Sequence, residues 1–413
     1  MNFLFLHQNF PGQFTHLAPA LAEKGHRVVA LGARSDRTGE WKGVRLLTYK
    51  YDEPKDQRLH PWVTVFNRAV DRGATVYRAL GVLKDRGFTP DAVVAHSGWG
   101  EALFVKDVWP EAKLGIFSEF FYQAEGADVG FDPEFASGNE VGRDVRIRLR
   151  NMAMRQQLEL ADASFSPTHW QADTFPPALR AKIDVIFDGI RTDIAAPDTN
   201  VVFQRPETPD LTRADEVITF VNRNLEPYRG FHIFMRALPE ILRRRPNARV
   251  LLVGDEGVSY GAAPKSGGSW KEVMTAEVRP GISDADWQRV HFLGRIPYPD
   301  YIRLLQVSTV HVYLTYPFVL SWSLVEAMST GCAIVASNTG PVREVMTDGV
   351  TGDMVDFFAP DALAAAVDRL AASPERRAAL GAAARDRVVR DYDLQAVCLP
   401  QQFAWVERLV GSG

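Results

Sequence analysis

From Tyr313 to Glu344 the chain reads YLTYPFVLSWSLVEAMSTGCAIVASNTGPVRE. A strand ends near Thr315, a turn follows, and a helix opens between Ser321 and Ser323. The unpaired N–H groups of a first helical turn can hold a phosphate. Glu326 falls about one turn further in, where its carboxylate can accept hydrogen bonds from ribose hydroxyls. A plainer role, complementing the helix dipole, fits the same residue. Gly331 closes the helix and a second strand follows.

Other residues with chemistry to offer also follow strands. In Val221-Asn-Arg223-Asn-Leu-Glu-Pro-Tyr-Arg229-Gly230, one arginine follows a strand and another precedes a helix. Two such cations can grip a diphosphate from both sides, or they can be solvated surface groups. Leu251-Leu-Val-Gly254-Asp255 is a strand ending in glycine. The Gly- and Ser-rich loop 256–270 behind it suits a mobile lid or a plain surface insertion. Arg295, in Phe292-Leu-Gly294-Arg295-Ile-Pro297, follows another strand. In the first half, Gly12 lies after the first strand and His96 at the carboxyl end of Ala92–His96. A lone strand-end histidine is more often a hydrogen-bonded structural group than a catalyst. Phe120, Phe121 and Tyr122 follow the next strand and read equally as a binding wall or as core aromatics.

These positions call for a scaffold that gathers strand ends. Residues 2–8 form a short apolar run, Phe14, Leu17 and Leu21 recur at helical spacing, and 26–31 is a buried-type strand. That unit implies parallel strands joined by a right-handed crossover. The pattern returns at 92–96, 113–120, 163–168 and 183–187. From 194 to 216 the chain turns polar and proline-bearing, which suggests an interdomain connection. The alternation resumes with strands at 217–221, 249–253, 290–293, 310–315 and 333–337, and a helix at 230–245. The end is helical, over 361–372, 375–389 and 394–409. The expected fold is α/β, with two doubly wound Rossmann-like halves, 1–195 and 196–393. Residues 394–413 are expected to form a helix returning to the first half.

Bulk composition narrows the function. The 413 residues suffice for two domains, and a net charge of -4 leaves no global field for nucleic acid. Cys332 and Cys398 are the only cysteines, too few for a disulfide framework or a four-cysteine metal site. No run is long enough to span a membrane, and the N-terminus lacks a signal pattern, so a cytoplasmic location is expected. No G-x-G-x-x-G follows a strand, no P-loop occurs, and no H-E-x-x-H appears. Asp284-Ala-Asp286 reads as helix capping rather than a metal pair. Residues 58–86 (Trp62, Phe66, Tyr77 with Arg68, Arg72, Arg78, Lys84) and Arg143, Arg146, Arg148 and Arg150 form basic stretches. Such faces can lie on anionic lipid, though most are solvated helix faces.

The 313–344 segment resembles the donor-binding signature of the family 4 retaining glycosyltransferases, which have the GT-B fold. The likeness runs from Met1 to about Asp393 and is strongest over 217–358. It implies two domains facing across a cleft, a nucleotide-sugar donor held by the second, and an acceptor presented by the first. It implies ribose binding by Glu326, phosphate binding by Arg223 and by Arg229 (where the family has lysine), and donor contacts from Gly12, Gly254, Arg295, Val319, Leu320 and Ser321. His96 falls at the family's acceptor-side histidine, with Phe121 and Tyr122 beside it. One departure stands out: Phe318 occupies the place of the family's first glutamate, which contacts donor-sugar hydroxyls. Arg191 likewise replaces a frequent aspartate. The implied reaction transfers a sugar, from a UDP-sugar first or a GDP-sugar next, to a glycan, lipid-linked or small-molecule acceptor with retention. No cofactor or metal is expected, and contact with the inner face of a membrane is a further expectation. A nucleotide-sugar epimerase or hydrolase, or a non-catalytic nucleotide-sugar binding protein, are the alternatives.

Overall fold

The computed structural model describes residues 1–34, 36–53, 59–135 and 141–411; Arg58, the start of one basic stretch above, lies outside them. The chain divides into two compact units. Met1–Gly189 with Gln395–Gly413 form the first, and Ile190–Leu394 the second. Among the described residues no helix is long and apolar enough to cross a membrane.

The first unit is built on an eight-stranded sheet. Its strands are β1 (Asn2–Leu6), β2 (Arg27–Gly32), β3 (Gly39–Trp41), β4 (Val44–Thr48), β5 (Ala92–His96), β6 (Lys113–Phe117), β7 (Ala163–Ser166) and β8 (Ile183–Val185). They lie in the order β3-β4-β2-β1-β5-β6-β7-β8, with only the β3–β4 pair antiparallel. Strands covered on both faces need apolar residues throughout, and Phe3 to Leu6 and Ala92 to Ala95 are almost completely buried. The edge strand β3, its neighbour β4 and the long helices Thr64–Asp85 and Arg143–Leu160 were not delimited from the sequence.

The chain's last helix, Leu399–Gly411, packs within this unit. Trp405 is 1% exposed and lies 4.6 Å from Phe165, ring centre to ring centre. A Cβ on Gly115 would stand 2.4 Å from the Trp405 ring, so the bare glycine in β6 lets the helix lie close. Gln402 donates to the Phe187 and Asp188 carbonyls at 3.1 and 3.2 Å, fastening the helix beyond the end of β8.

The second unit carries six parallel strands, β9 (Val217–Asn224), β10 (Arg249–Asp255), β11 (Val290–Phe292), β12 (Val310–Tyr313), β13 (Ile334–Ser337) and β14 (Asp353–Val355). Their order is β11-β10-β9-β12-β13-β14. The polar stretch read as a connection belongs to this unit. Phe203 and Leu211, each 1% exposed, pair in an antiparallel bridge, and Gln306 bonds the Ala196 carbonyl at 2.7 Å. Prolines and charges around those two apolar residues mimic a linker composition, while the pair itself is core. The crossings between units fall at 189/190 and 394/395.

Trp405→Ala should cost about 3–5 kcal/mol, the usual range for an aromatic truncated in a core. Denaturant unfolding of the purified variant checks this; a loss below about 1 kcal/mol would show that the last helix does not complete the first unit.

Candidate functional site

In each sheet the strand order reverses beside the first strand, between β1 and β5 in one unit and between β9 and β12 in the other. Loops leaving such neighbours diverge and open a crevice at the strand carboxyl ends, where ligands bind in open α/β sheets. Some of the predicted residues stand at these two places, and each is described within its own unit.

In the second unit the arrangement begins with Gly230. Its φ is +69°, and a Cβ there would lie 2.3 Å from the Leu314 side chain, so the position requires glycine. The close approach buries the preceding Arg229 to 7% exposure. Its Nη1 donates to Thr315 Oγ1 at 2.7 Å and to the Val319 carbonyl at 3.0 Å, and its guanidinium lies 5.2 Å from the Tyr260 ring centre. The two arginines of the predicted clamp therefore sit in unlike settings. Arg229 shapes the 315–320 loop, while Arg223, at the carboxyl end of β9, is exposed and has no hydrogen bond or ion pair among the described residues.

The helix start also differs from expectation. Ser321 N–H donates to Tyr313 Oη at 3.1 Å, Ser321 Oγ accepts from Ser323 N–H at 3.3 Å, and Leu324 N–H reaches the Ser321 carbonyl at 3.3 Å. Serine at the cap satisfies the donors that were expected to be free. The Val319 N–H, just upstream, makes no hydrogen bond among the described residues. Val319 and Leu320 are buried, 6% and 9% exposed.

Phe318 is 3% exposed, edge-on to Tyr228 at 5.7 Å and to Tyr260 at 5.1 Å. The buried carboxylate near it, Glu226, accepts instead from the Ser259, Tyr260 and Gly261 N–H groups at 3.0–3.3 Å. That ties down residues 259–261 of the loop read as a lid or a surface insertion: three successive amides share one anion, as in an anion-binding nest. Gly254 lets β10 pass Leu225, whose Cδ2 would stand 2.9 Å from an added Cβ. Arg295 is 74% exposed and pairs with Asp255 at 3.0 Å, a surface ion pair away from Glu326's contacts. Arg191 pairs with Asp193 through both carboxylate oxygens.

Glu326, on the helix Trp322–Ser329, is 9% exposed. Tyr298 and Tyr301 each donate a phenol hydrogen bond to it, at 2.8 and 2.9 Å. Burial pushes its carboxyl pKa up, and the two phenols oppose that shift. Neither tyrosine was singled out from the sequence. They lie three residues apart on another helix, so only tertiary packing relates them to Glu326.

In the first unit His7, Gln13, His96 and Glu119 form a chain across the ends of β1, β5 and β6. Asn9 N–H donates to His7 Nδ1 at 3.0 Å, so the neutral ring carries its proton on Nε2, 2.9 Å from Gln13 Oε1. Gln13 Nε2 donates to Glu119 Oε1 at 2.8 Å. His96 accepts from Gly98 N–H on Nδ1 at 3.0 Å and directs Nε2 at Glu119 Oε2, 3.5 Å away. His96 is fully buried, stacked on Trp99 with centres 4.3 Å apart, whereas the Glu119 side chain is 30% exposed. Burial opposes the Glu119 charge, but His96, His7 and Gln13 outweigh it and hold the carboxyl below its usual range. Burial, aided by His96, drives the His7 pKa from 6.5 to about 3.

Gly12 belongs to the same chain: its φ is +48° and a Cβ would come within 2.3 Å of the His7 ring. The sequence placed His96 at a strand end and Gly12 in the loop after the first strand, as found, but missed His7, Gln13 and Glu119. A histidine and a glutamate, each just past a strand, were the available signal. Phe121 packs against Phe175 at 5.4 Å, and Tyr122 lies under Arg150, 3.4 Å from its ring centre. Asn151 fixes the Tyr122 backbone at 2.7 and 3.1 Å. Both aromatic rings are half-buried.

Comparison with known proteins follows the same division. Residues 24–195 match the family described as "Glycosyl transferase family 4 group", and residues 206–387 match "Glycosyl transferases group 1". A D-inositol 3-phosphate glycosyltransferase from Segniliparus rotundus is 28% identical over 202 residues, 49% of this chain and 42% of that enzyme. A glycogen synthase from Mycobacterium tuberculosis is 25% identical over 405 residues, 92% of this chain and 87% of that protein. Among solved structures, sucrose-phosphate synthase from Thermosynechococcus elongatus has a TM-score of 0.72 and 17% identity, with 100% of each chain covered, a likeness of fold.

The low His7 pKa has a consequence for pH. The neutral ring's contribution to stability is complete above the unfolded value of 6.5 and is lost as pH falls from there towards about 3. Ring-nitrogen NMR at about pH 5 should show His7 neutral with its proton on Nε2. A protonated ring at that pH would contradict the assignment of this buried chain.

Proposed function

The chain belongs to the family 4 retaining glycosyltransferases, and we propose that it moves a sugar from a nucleoside-diphosphate donor bound by the second unit to an acceptor hydroxyl bound by the first. The supporting observation is that the exposed Arg223, at the carboxyl end of β9, and the Val319 N–H, on the loop leaving β12 and unbonded among the described residues, both stand at the strands flanking the switch point. A cation and a backbone donor there can neutralise the charge that develops on a departing diphosphate. Arg229 acts indirectly, holding Thr315 and the Val319 carbonyl so that the peptide N–H is presented. Glu326 accepts the ribose hydroxyls.

The donor proposed first is a UDP-sugar, then a GDP-sugar. With phenylalanine at 318 and Glu226 bonded to backbone amides, the donor sugar meets tyrosines rather than a carboxylate in this region. In the first unit, Glu119 is a partly exposed acceptor of the histidine chain and suits a substrate hydroxyl, with His96 and His7 favouring its ionised form. Tyr122 and Phe121 supply apolar surface beside it. The acceptor is a glycan, glycolipid or small molecule. Expected membrane contact gains little from the basic stretches: Arg72 lies over Tyr51, Lys84 bonds the Val108 carbonyl, and Arg150 lies over Tyr122.

With the donor in place, retention follows from attack on the face the diphosphate leaves, its released oxygen taking the acceptor proton. The protein's part is to orient both partners and exclude water, so that the donor is not hydrolysed. Arg223→Ala should weaken nucleotide binding by about tenfold to a hundredfold, the loss expected for a charge-assisted hydrogen bond. Titration calorimetry with UDP and GDP reads this, and unchanged affinity would remove Arg223 from the site. Since the proposal assigns the charge to arginine and backbone, transferase turnover should persist in EDTA; loss restored by a divalent cation would contradict it.

A further inference from the structure

The mode of holding Glu326 points to a selectivity device. Glu326 is a carboxylate at 9% exposure, and a buried carboxylate needs hydrogen bonds to remain ionised. Both of its oxygens accept from phenols on the neighbouring helix Tyr298–Val307, Oε1 from Tyr298 at 2.8 Å and Oε2 from Tyr301 at 2.9 Å. A carboxylate offers about four lone-pair sites, so two remain. One phenol on each oxygen turns the carboxylate plane and leaves one acceptor direction on each. A vicinal diol presents two donors at about that spacing.

The two tyrosines are unlike in setting. Tyr301 is 9% exposed and packed within the unit, so its hydroxyl has a fixed address. Tyr298 is 45% exposed at the first residue of the same helix, following Pro297. The rings stand 5.9 Å apart, adjacent on one helical face. Phenylalanine at either position would keep the ring and delete only the donor.

We propose that Tyr301 and Tyr298 are positioning residues that hold Glu326 as a two-point acceptor for the ribose 2′- and 3′-hydroxyls, and so make the donor site select ribonucleotides over deoxyribonucleotides. The inference rests on the ribose role given to Glu326 above. Neither tyrosine touches the reacting atoms. Their effect is carried through the carboxylate, and it should appear in ligand discrimination rather than in general binding.

The test is calorimetric affinity for UDP, 2′-deoxy-UDP, GDP and 2′-deoxy-GDP, measured on the full chain. Wild type, Tyr301→Phe, Tyr298→Phe, the double variant and Glu326→Gln are compared, with melting temperature as the control for folding. Wild type should prefer the ribonucleotide by about tenfold, and Tyr301→Phe should cut that ratio by about fivefold by weakening only the ribo form. Tyr298→Phe should act in the same direction and the double variant should approach Glu326→Gln. A wild-type ratio in both single variants and the double variant, while Glu326→Gln loses it, overturns the positioning role and leaves the ribose role standing. Tighter ribonucleotide binding in Tyr298→Phe also overturns it, because the phenol would then occupy the diol's place. No discrimination in wild type, or none lost in Glu326→Gln, removes the ribose reading and the inference with it. A general loss of affinity for ribo and deoxy forms alike, with a lowered melting temperature, marks a packing role and overturns the proposal.

Discussion

A guanidinium taken out of water must be hydrogen-bonded where it lies, and in the second unit the chain is arranged around one. Arg229 is nearly enclosed, and its Nη1 is met by the Thr315 hydroxyl and the Val319 carbonyl. Leaving such a charge unpaired would cost several kcal/mol, so these contacts hold the loop after β12 to one shape. The following Gly230 makes the enclosure possible, because any side chain there would strike Leu314. The exposed neighbour Arg223 is left to meet an anionic ligand. Two arginines of similar appearance in sequence thus divide the work, one building the loop and one facing solvent.

The first unit solves a different problem, packing two buried imidazoles beside a carboxylate. Backbone amides of Asn9 and Gly98 donate to the two Nδ1 atoms, so the Nε2 of His7 faces Gln13 and that of His96 faces Glu119. Gln13 then accepts from His7 and donates to Glu119, whose carboxylate is partly exposed. A polar chain held by directed hydrogen bonds is rigid, and its Glu119 end is placed where a ligand can use it.

Much of this was legible in the sequence. The repeating apolar runs gave the two doubly wound units, and the 313–344 pattern located the loop, the helix and Glu326. Local signals did less well where long-range packing decides. Phe203 and Leu211 were hidden in a polar stretch, though they pair as core. The helix start at Ser321 was read as open, yet its serine cap and Tyr313 satisfy the amides. Tyr298 and Tyr301 carry no motif, since their partner lies on a different helix. Arg229 and Arg223 could not be told apart before burial was known. The Gly- and Ser-rich loop suggested freedom, whereas Glu226, two residues past β9, anchors it through three amides.

The central claim is that a nucleoside diphosphate binds the second unit on the loops leaving β9 and β12. Hydrogen–deuterium exchange of the full chain with and without UDP or GDP tests it most directly. Peptides covering Asn222–Gly230 and Leu314–Glu326 should gain protection, the Val319 amide foremost, because that N–H has no partner among the described residues. Nucleotide-dependent protection confined to the first unit, with those two segments unchanged, would contradict the account.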